Sequence, residues 1–488
     1  MTITTPKKPV QLSENIKLSS NFSKKRKTFL SGTHLHRFSP ESVVFADCEA
    51  DIVAAVKQAA SQNKPVRAIG AMHSYAPIFA TAGTCLVLER YNRLLKVENT
   101  QVTVQAGITL ERLNQHLAAK GLALPICSAI ALQTISGAIS TGSHGGSYYH
   151  PSLSGYVRQL RLVRADSSVV ELNAKDDNFG AAVVSMGLLG IISTVTIDCV
   201  PAFWLVAERQ PFSATDFITQ FDSIHRSNQY LDVKYIPITD GVQVLKMNKT
   251  VSQSANSHHS DTSQFQSPKL IRKIKTEILK RMLALFQRPN FTWLQRWMYR
   301  RHENNIYPDY RSDRSDHIFT HLEYLYYDPI LLHNMEIAVP YHQGTAVLQT
   351  LRSHFQQTRQ YPNIFIRIRV SAADDCWLSP AYNEATCWFD FCEYPYSGQF
   401  FREIVDLLTP FNFRSHWGKE IQATPAYVRT RYEKWTEFMA LRDRWDPHRR
   451  FTNDSLKRFF SDSLAFCNHS SDSQIPQSHP LPHGASSQ

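Results

Sequence analysis

The 488-residue chain is too long for a single hydrophobic core and predicts two domains with additional terminal segments. Its 43% hydrophobic and 11% aromatic residues supply a sizeable interior and exclude general disorder. The formal net charge of +11 is concentrated in residues 1–27, with a net charge of +6, and in residues 269–301, with +9. The rest of the chain is therefore mildly acidic. No signature of an RNA- or DNA-binding module is present, so we expect no nucleic-acid partner.

The cysteines and the N-terminal residues favour a reducing compartment. None of the eight cysteines forms a Cys-x-x-Cys pair, and Cys85, Cys127 and Cys199 lie in apolar stretches that are typical of buried free thiols. The first residues lack the apolar run of a secretory signal, and the sequence has no stretch of 18 apolar residues. We therefore expect a cytoplasmic protein, with membrane association left open by the basic segments.

The first part of the chain predicts a basic arm followed by an α+β domain. Residues 1–39 are polar and lack sustained periodicity, whereas residues 40–205 alternate between helical and β-branched patterns. Helices are predicted within 51–60 and 110–122, and strands within 65–70, 85–88, 101–105, 157–172 and 190–200.

The second part, residues 206–460, predicts a substrate or cap domain whose C-terminal end returns to the first domain. Aromatic-rich strands are predicted at 324–327, 364–370 and 387–391. An insertion is expected at 251–316, beginning with a polar loop at 251–266, and residues 461–488 have the composition of a disordered tail.

The insertion also contains a predicted basic amphipathic helix, residues 269–286. Its apolar residues near one stripe are Ile271, Ile274, Ile278, Met282, Leu285 and Phe286. Two interpretations stay open. The helix packs on the substrate domain, or it makes a peripheral contact with an anionic membrane.

Two loops rich in small residues are candidates for binding an anionic cofactor. In the first, residues 66–74, Gly70 and Ala71 leave room for backbone N–H groups to approach a pyrophosphate. The second, residues 134–146, carries a dense row of glycines and hydroxyl side chains. Neither contains Gly-x-Gly-x-x-Gly, and the second lacks the lysine of a P-loop, so a Rossmann site and an NTPase are both disfavoured. Taken alone, such loops are more often turns than ligand sites.

Seven segments, taken in order, resemble FAD-linked oxidases of the vanillyl-alcohol-oxidase superfamily, and within it the sugar-1,4-lactone oxidases and alditol oxidases. These segments are residues 67–74, 134–146, 188–194, 335–340, 374–380, 416–419 and 446–453. The resemblance spans about residues 40–460. It implies an α+β fold in which a two-subdomain, PCMH-type FAD-binding domain precedes a substrate domain with a large antiparallel sheet flanked by helices.

The same resemblance implies which residues hold FAD. His73 occupies the position at which such oxidases bond a histidine nitrogen to the flavin 8α-methyl group, and a neutral imidazole has the nucleophilic nitrogen that this bond requires. The other implied FAD contacts are Gly70, Ala71, Ser74, Ser136, Gly137, Thr141, Gly142, His144, Gly145, Gly190 and Ile191.

The implied catalytic residues are Lys419, His416, Arg369 and Arg367. A lysine in the His-Trp-Gly-Lys motif faces the flavin N1–C2 edge or the substrate in the resembled families, where a fixed cation stabilises the charge left by hydride transfer. In the strand at 364–370, Arg367 and Arg369 share one face. The resembled families carry an acid at position 367. The arginine therefore suggests an anion site for an acidic sugar, unless Arg367 forms a salt bridge with an acid elsewhere.

The expected function is hydride transfer from a CH–OH group of a small sugar-derived molecule, an aldonolactone, polyol or acidic sugar, to FAD, with oxygen or another acceptor reoxidising the cofactor. No metal ligand set is predicted. One alternative is a flavin dehydrogenase of the same fold that acts on a non-sugar alcohol or hydroxy acid. A more distant one is a membrane- or nucleic-acid-binding protein with a non-catalytic flavin.

Overall fold

The computed structural model describes residues 28–250, 269–303, 307, 310–319 and 332–461. The strand predicted at 324–327, the polar loop at 251–266 and residues 462–488 of the predicted tail lie outside the described residues. Within the described ranges, the expected α+β fold is confirmed.

The first part of the chain forms two main sheets, two short strand pairs and helices packed against them. Its elements are β1 Phe29–Leu30, β2 Arg37–Phe38, β3 Ser42–Phe45, α1 Glu49–Ser61, β4 Val66–Ile69, β5 Thr84–Val87, β6 Leu94–Glu98, β7 Gln101–Gln105, α2 Leu110–Ala118, β8 Leu122–Ala123, α3 Ile135–Ser140, β9 Val157–Val163, β10 Val169–Asn173, α4 Phe179–Val183, β11 Ile191–Asp198 and β12 Val200–Pro201. The short pairs are β1 with β2 and β8 with β12. One main sheet is parallel, in the order β3-β5-β4, and the other is antiparallel, in the order β10-β9-β11-β7-β6. These are the two subdomains that the sequence predicted.

Local sequence explains where the helices of this part begin and end. The apolar stripe of α1 is buried, and the Asp51 carboxylate accepts hydrogen bonds from the backbone N–H groups of Asp47 and Cys48 at its start. Helix α2 was predicted to continue to residue 122, but it ends at Ala118 because Gly121 adopts a left-handed turn with φ +69°.

The N-terminal arm is shorter than the sequence predicted. Residues 28–39 were assigned to it, but β1 and β2 pair as an antiparallel hairpin. The Phe29 ring is buried and stacks on Phe38 at 5.3 Å, and Phe38 contacts Phe79. Two short strands carry too few residues to show periodicity, but burying their aromatic rings fixes them to the first domain.

The second part is built on an eight-stranded sheet. Its elements are β13 Trp204–Ser213, α5 Ala214–Thr219, α6 Phe221–Ser227, β14 Tyr230–Ile236, β15 Gly241–Thr250, α7 Lys269–Phe286, α8 Thr292–His302, β16 Tyr310–Arg314, α9 Ser315–Phe319, β17 His333–Pro340, α10 Gly344–Thr358, β18 Ile366–Ser371, β19 Thr386–Glu393, α11 Gln399–Leu408, β20 Arg414–Ser415, α12 Pro425–Arg429, α13 Trp435–Trp445 and α14 Asp454–Phe460. The strand order is β16-β13-β15-β14-β18-β19-β17-β20, and every pairing is antiparallel.

The insertion also ends earlier than the sequence predicted. Residues 310–314 were placed in it, but they form β16, which pairs with β13 at the edge of the large sheet. The insertion is therefore a helical excursion between β15 and β16. Among the described helices, none combines the length and apolar character needed to cross a membrane.

The C-terminal segment contacts the first domain. The buried Arg67 guanidinium donates hydrogen bonds to the carbonyl oxygens of Phe451 at 2.6 Å, Ile78 at 2.6 Å and Met186 at 2.8 Å. The Val66 N–H group donates to the Arg450 carbonyl at 2.9 Å. The first domain is thus completed by residues from the far end of the described chain.

Candidate active site

A large cavity lies where the two glycine loops of the first domain face the eight-stranded sheet. Its empty volume is about 1370 Å³, including space open to solvent. Among the proposed site residues, the following line it: Gly70, Ala71, His73, Ser74, Ser136, Gly137, Thr141, His144, Gly190, Ile191, Arg367, Arg369, His416 and Lys419. The structure thus brings together residues that are up to several hundred positions apart in the chain.

The loop after β4 presents backbone N–H groups to this cavity. The N–H groups of Gly70, Ala71, Met72 and Ser74 donate to no acceptor among the described residues. A β-carbon on Gly70 would lie 2.1 Å from Thr134 Oγ1, so only glycine lets the two loops approach this closely. A row of backbone donors beside open space suits the pyrophosphate of a dinucleotide.

His73 faces the cavity from the same loop. A β-carbon on Gly32 would lie 2.9 Å from both Cε1 and Nδ1 of His73, so the N-terminal hairpin covers the ring on one side. Burial, and to a lesser extent the neighbouring His34, lower the pKa of His73 to about 4. The imidazole is therefore neutral at physiological pH and keeps a nucleophilic nitrogen.

The second loop folds largely by bonding to itself. The Thr134 hydroxyl caps α3 by accepting from the Gly137 N–H group, and Ser136 Oγ donates to the Ala106 carbonyl at 2.8 Å. Thr141 Oγ1 donates to the Gly137 carbonyl at 3.2 Å. The hydroxyls of this loop thus shape the cavity wall more than they extend into the space.

Two of the predicted cofactor contacts, Gly142 and Gly145, are not among the residues that line the cavity. Gly142 adopts a left-handed turn with φ +70°, and a β-carbon on Gly145 would lie 2.5 Å from the Ile126 side chain. Both glycines serve the path and packing of the chain. In contrast, Gly190 does line the cavity, and its φ of +154° brings it against Leu162.

The opposite wall is one face of the large sheet. Lys234, Arg367, Asp390 and Glu336 are successive cross-strand neighbours on β14, β18, β19 and β17. The residues between them along each strand, such as Ile368 and Phe389, point to the other face and are buried in the apolar core. The alternation of the strands therefore puts a row of charges on the cavity side only.

Within this row, two neighbouring side chains hold the carboxylate of Glu336. Arg369 donates to its carboxylate at 2.6 Å, and His144 Nε2 lies 3.2 Å from the same oxygen. Burial acts to raise the pKa of Glu336, but Arg369, His144 and Lys419 together hold it well below its usual value. The His144 ring stacks on Trp388 at 3.8 Å, which fixes its orientation. Glu336 is therefore a carboxylate that positions Arg369.

Arg367 is paired as well. Its guanidinium donates to Asp232, which also accepts a 2.7 Å hydrogen bond from the Tyr307 hydroxyl. The ammonium of Lys234 lies 3.8 Å from the centre of the Tyr307 ring. Burial above all, with Arg367 nearby, lowers the pKa of Lys234 to about 7. Since Asp232 neutralises Arg367 and Glu336 neutralises Arg369, the two arginines do not form the open anion site that the sequence suggested.

The His416–Lys419 turn joins this wall to the His73 loop. The Gly418 N–H group donates to His416 Nδ1 at 3.0 Å, and burial lowers the pKa of His416 to about 3, so the ring is neutral. The Tyr75 N–H group donates to the Gly418 carbonyl at 2.8 Å, and the Lys419 ammonium lies 4.8 Å from the centre of the Tyr75 ring.

His144, Glu336 and His416 could be taken for a metal site, because their ligand atoms lie within 4.8 Å of one another. The Arg369 guanidinium already contacts the Glu336 carboxylate, and a metal cation there would face that positive charge. We therefore assign these residues to the organic cofactor cavity.

Two acidic residues of the cavity were not among the catalytic and cofactor-binding residues predicted from the sequence. Glu336 lies within a segment that carried the family resemblance, and Asp390 lies in a predicted strand. The sequence signal for these two residues was the alternation of acidic and apolar side chains along each strand, which puts the acidic ones on one face. Strand register was needed to show that both face the same space.

Comparisons with known proteins agree with this architecture. The model of the D-arabinono-1,4-lactone oxidase family matches residues 195–459, and the model of an FAD-binding domain matches residues 40–173. The L-gulono-1,4-lactone dehydrogenase of Mycobacterium tuberculosis is 30% identical over 429 residues, which cover 86% of this chain and 96% of the relative. The L-gulonolactone oxidase of Mus musculus is 27% identical over 439 residues, with the same two coverages of 86% and 96%.

A solved structure, a solvent-stable cholesterol oxidase, shares the fold with a TM-score of 0.74 at 20% identity, covering 90% of this chain and 99% of that chain. The fold, the cavity and the matched cofactor domain define an FAD-dependent oxidoreductase. The chain belongs to the D-arabinono-1,4-lactone oxidase family.

Proposed function

We propose that this protein holds FAD covalently through His73 and oxidises a CH–OH group of a neutral, polyhydroxylated substrate of the aldonolactone class. Two observations support this proposal. Both arginines of the sheet wall pair with acids of the protein, and one oxygen of the Asp390 carboxylate is left to accept a hydrogen bond. The relatives' names support the substrate class, since they specify L-gulono-1,4-lactone and D-arabinono-1,4-lactone.

The residues of the first domain fit the cofactor. The donors at Gly70–Ser74 suit its pyrophosphate, and the neutral ring of His73 suits a covalent bond to the flavin. When bound, FAD accepts the hydride and passes electrons to oxygen or another acceptor. We propose no choice between oxygen and another electron acceptor, because the relatives include a dehydrogenase as well as oxidases.

Asp390 is the carboxylate that we assign to the substrate. Its Oδ1 accepts from Asn334 Nδ2 at 2.5 Å, whereas its Oδ2 accepts no hydrogen bond from a described residue. Asp232 and Glu336 are both held by an arginine and a second partner. Asp390 thus has the acceptor capacity to bind a substrate hydroxyl and to receive its proton.

The pairing of both arginines favours a neutral substrate over an acidic one. Arg367 and Arg369 are already in contact with Asp232 and Glu336, and Asp390 adds a carboxylate beside Arg367. A substrate carboxylate would meet Asp390 without an uncommitted guanidinium to pair with. The arginine at position 367 therefore does not turn this wall into a carboxylate site.

Anaerobic reduction of the bound flavin tests the substrate class. D-Arabinono-1,4-lactone and L-gulono-1,4-lactone should bleach the flavin absorbance faster than their ring-opened aldonates. Asp390→Asn should lower kcat/KM for the lactones by about 10- to 100-fold, the loss expected for a hydrogen bond to a charged group. Asp240→Asn is the matched control, because Asp240 pairs with Arg352 and does not line the cavity. Faster reduction by the aldonates would contradict the proposal.

The covalent link is tested separately. After acid precipitation, the yellow colour should stay with wild-type protein, and the peptide that contains His73 should carry the mass of FAD. His73→Ala should release the flavin, whereas His34→Ala, at an exposed neighbouring position, should retain it. An unmodified His73 peptide from yellow, active protein would remove the covalent claim and leave the substrate proposal standing.

A further inference from the structure

The helical excursion between β15 and β16 carries unusually exposed apolar side chains. Ile278 of α7 is 59% exposed, and Trp293 and Trp297 of α8 are 66% and 58% exposed. These are the most exposed large hydrophobic residues among those that the structure describes. An indole left this open to water is uncommon, since tryptophan is largely buried on average.

Helix α8 is held firmly on its other face. The buried Gln295 donates to the Pro362 carbonyl at 2.8 Å, and the Tyr299 hydroxyl donates to the Asn363 carbonyl at 3.0 Å. Arg296 Nε donates to the Ile238 carbonyl at 3.2 Å. The rotation of α8 is therefore fixed, and the outward direction of its two tryptophans follows from how it packs.

The charge around the tryptophans is positive. Arg300 and Arg301 are exposed and follow Trp297 by about one helical turn, and α8 contains no acidic residue. Arg288, in the connection from α7, is exposed as well. In residues 269–301 the lone acid is Glu277, and it lies 3.8 Å from Arg281.

We propose that the surface formed by Trp293, Trp297, Arg300 and Arg301 binds an anionic lipid bilayer. Tryptophan prefers the boundary between headgroups and acyl chains, where its ring is buried and its N–H group stays hydrated. Arginines at the same level are attracted to anionic headgroups. The tryptophans project from the outside of a helix, which provides none of the charged groove that tracks a nucleic-acid strand.

This assignment refines the amphipathic-helix interpretation of the sequence. The exposed tryptophans belong to α8, which follows the predicted segment 269–286. In α7, Leu283 and Phe286 are buried, and Asn363 Nδ2 donates to the Leu283 carbonyl at 2.9 Å. The C-terminal half of α7 therefore packs on the protein, and α8 provides the outward surface.

Co-sedimentation of the full-length, flavin-loaded protein with vesicles tests the proposal. Wild-type protein should bind phosphatidylcholine vesicles that contain phosphatidylserine. Binding should weaken as salt is raised and should be much weaker to phosphatidylcholine alone. Brominated lipids should quench tryptophan fluorescence in wild-type protein, and the quenching should be lost in Trp293→Ala/Trp297→Ala.

Two pairs of variants separate the contributions of charge and aromatic surface. Arg300→Glu/Arg301→Glu should weaken binding by at least about 25-fold, whereas Lys57→Glu/Lys120→Glu, the same charge change at exposed sites of the first domain, should have little effect. Trp293→Ala/Trp297→Ala should weaken binding at least about tenfold. Leu95→Ala/Tyr149→Ala is its control, because both residues are exposed outside the helical excursion.

The outcomes separate this proposal from the proposed function. All these variants should keep wild-type flavin reduction by substrate, since none of the residues lines the cavity. The proposal is overturned if wild-type protein binds neither kind of vesicle or binds both equally. A tryptophan-dependent dimer without vesicle binding would assign the surface to a second copy of the chain and also overturn it.

Discussion

The wall formed by the first domain and the wall formed by the large sheet enclose one cavity by different means. The first is made of small residues and backbone N–H groups, with Gly70 and Thr134 in contact across two loops. The second is made of charged side chains from four strands, each placed by register and held by a partner such as the Arg369–Glu336 pair.

The difference shows that the two walls respond to different kinds of change. A wall of backbone donors tolerates changes of nearby charge but tolerates no added volume at its closest contacts. A wall of buried charges keeps its shape when one charge is removed, but the remaining partner is left buried without compensation. A substitution that removes a charge but keeps the side-chain size should therefore affect the charged wall, whereas one that adds a methyl group should affect the backbone wall.

The largest expected effect is on the charged wall. Glu336→Gln preserves side-chain shape but leaves the Arg369 guanidinium without its carboxylate. Breaking a buried ion pair in this way typically lowers the free energy of unfolding by about 3–5 kcal/mol. Urea unfolding of the purified variant measures it.

Glu393→Gln is the matched control for Glu336→Gln. Glu393 is also buried in the sheet region but accepts hydrogen bonds from Ser397 and Gly398, and no arginine of the described residues pairs with it. We expect it to lose about 1 kcal/mol. Equal losses in the two variants would contradict a special role for charge on this wall.

The next effect is on rate. Lys419→Ala removes a fixed cation beside the cavity, and losing such a donor to a developing anion typically costs about 3–4 kcal/mol, roughly a hundred- to a thousandfold in rate. Stopped-flow flavin reduction by the lactone measures the loss, while FAD retention should be unchanged. Lys457→Ala, which removes an exposed lysine paired with Asp454, serves as the control. A change of only a few-fold would place Lys419 outside the reaction.

A smaller effect is expected on the backbone wall. Gly70→Ala adds one methyl group 2.1 Å from Thr134 Oγ1, and forcing the loops apart should cost about 1–3 kcal/mol and weaken FAD binding. Gly137→Ala is the comparison, because its β-carbon would meet the same oxygen at 3.1 Å. Thermal melting and the flavin content of the purified proteins measure both. If Gly137→Ala lost as much flavin, the close approach at Gly70 would not be the cause.

Acid should destabilise the protein, because both walls of the cavity and the surrounding core contain neutral buried histidines. In the walls, burial lowers the pKa of His73 to about 4, that of His416 to about 3, and that of His144 as well. Outside the cavity, burial lowers the pKa of His150 and His225 to about 4. The unfolded chain takes up protons below about pH 6.5 that the folded protein cannot. Stability is therefore fully present above that pH and falls as the pH drops toward about 4.

A single histidine outside the cavity provides the test of this pH dependence. His225 lies beneath Phe221, with its ring bonded to the Phe221 carbonyl at 2.7 Å. His225→Gln should reduce the slope of unfolding free energy against pH by about 1.4 kcal/mol per pH unit between about pH 6 and pH 5. Burial raises the pKa of Asp374 to about 6, so this residue makes the unfolding free energy increase as the pH falls. Its contribution is the same in wild-type protein and in His225→Gln, and it cancels when the two slopes are subtracted. An unchanged slope would show that His225 is not a source of acid sensitivity.

The sequence predicted the backbone wall better than the charged wall. A glycine loop is continuous in the chain, so the motif around His73 and the turn at His416–Lys419 could be recognised from adjacent residues. In the second loop, Gly142 and Gly145 do not line the cavity, and their surroundings show that glycine is also used for left-handed turns and for close packing.

The charged wall depends on partners that are distant in the chain. Arg367 pairs with Asp232, which lies 135 positions away, and Arg369 pairs with Glu336 on a different strand. Such pairs follow from strand order and register, which periodicity does not provide. For that reason the sequence left open whether Arg367 binds an anionic substrate or an acid of the protein, and in the structure each arginine pairs with an acid of the protein.

The contacts of Arg67 with the C-terminal segment have a consequence for how the protein is made. Translation delivers the chain from its N-terminus, so the loops that surround FAD leave the ribosome long before Phe451, which closes that side of the first domain. Until then, the Arg67 guanidinium lacks one of its three carbonyl acceptors. We therefore expect stable capture of the cofactor to follow release of the finished polypeptide, and ribosome-bound nascent chains that stop before residue 450 to remain without flavin.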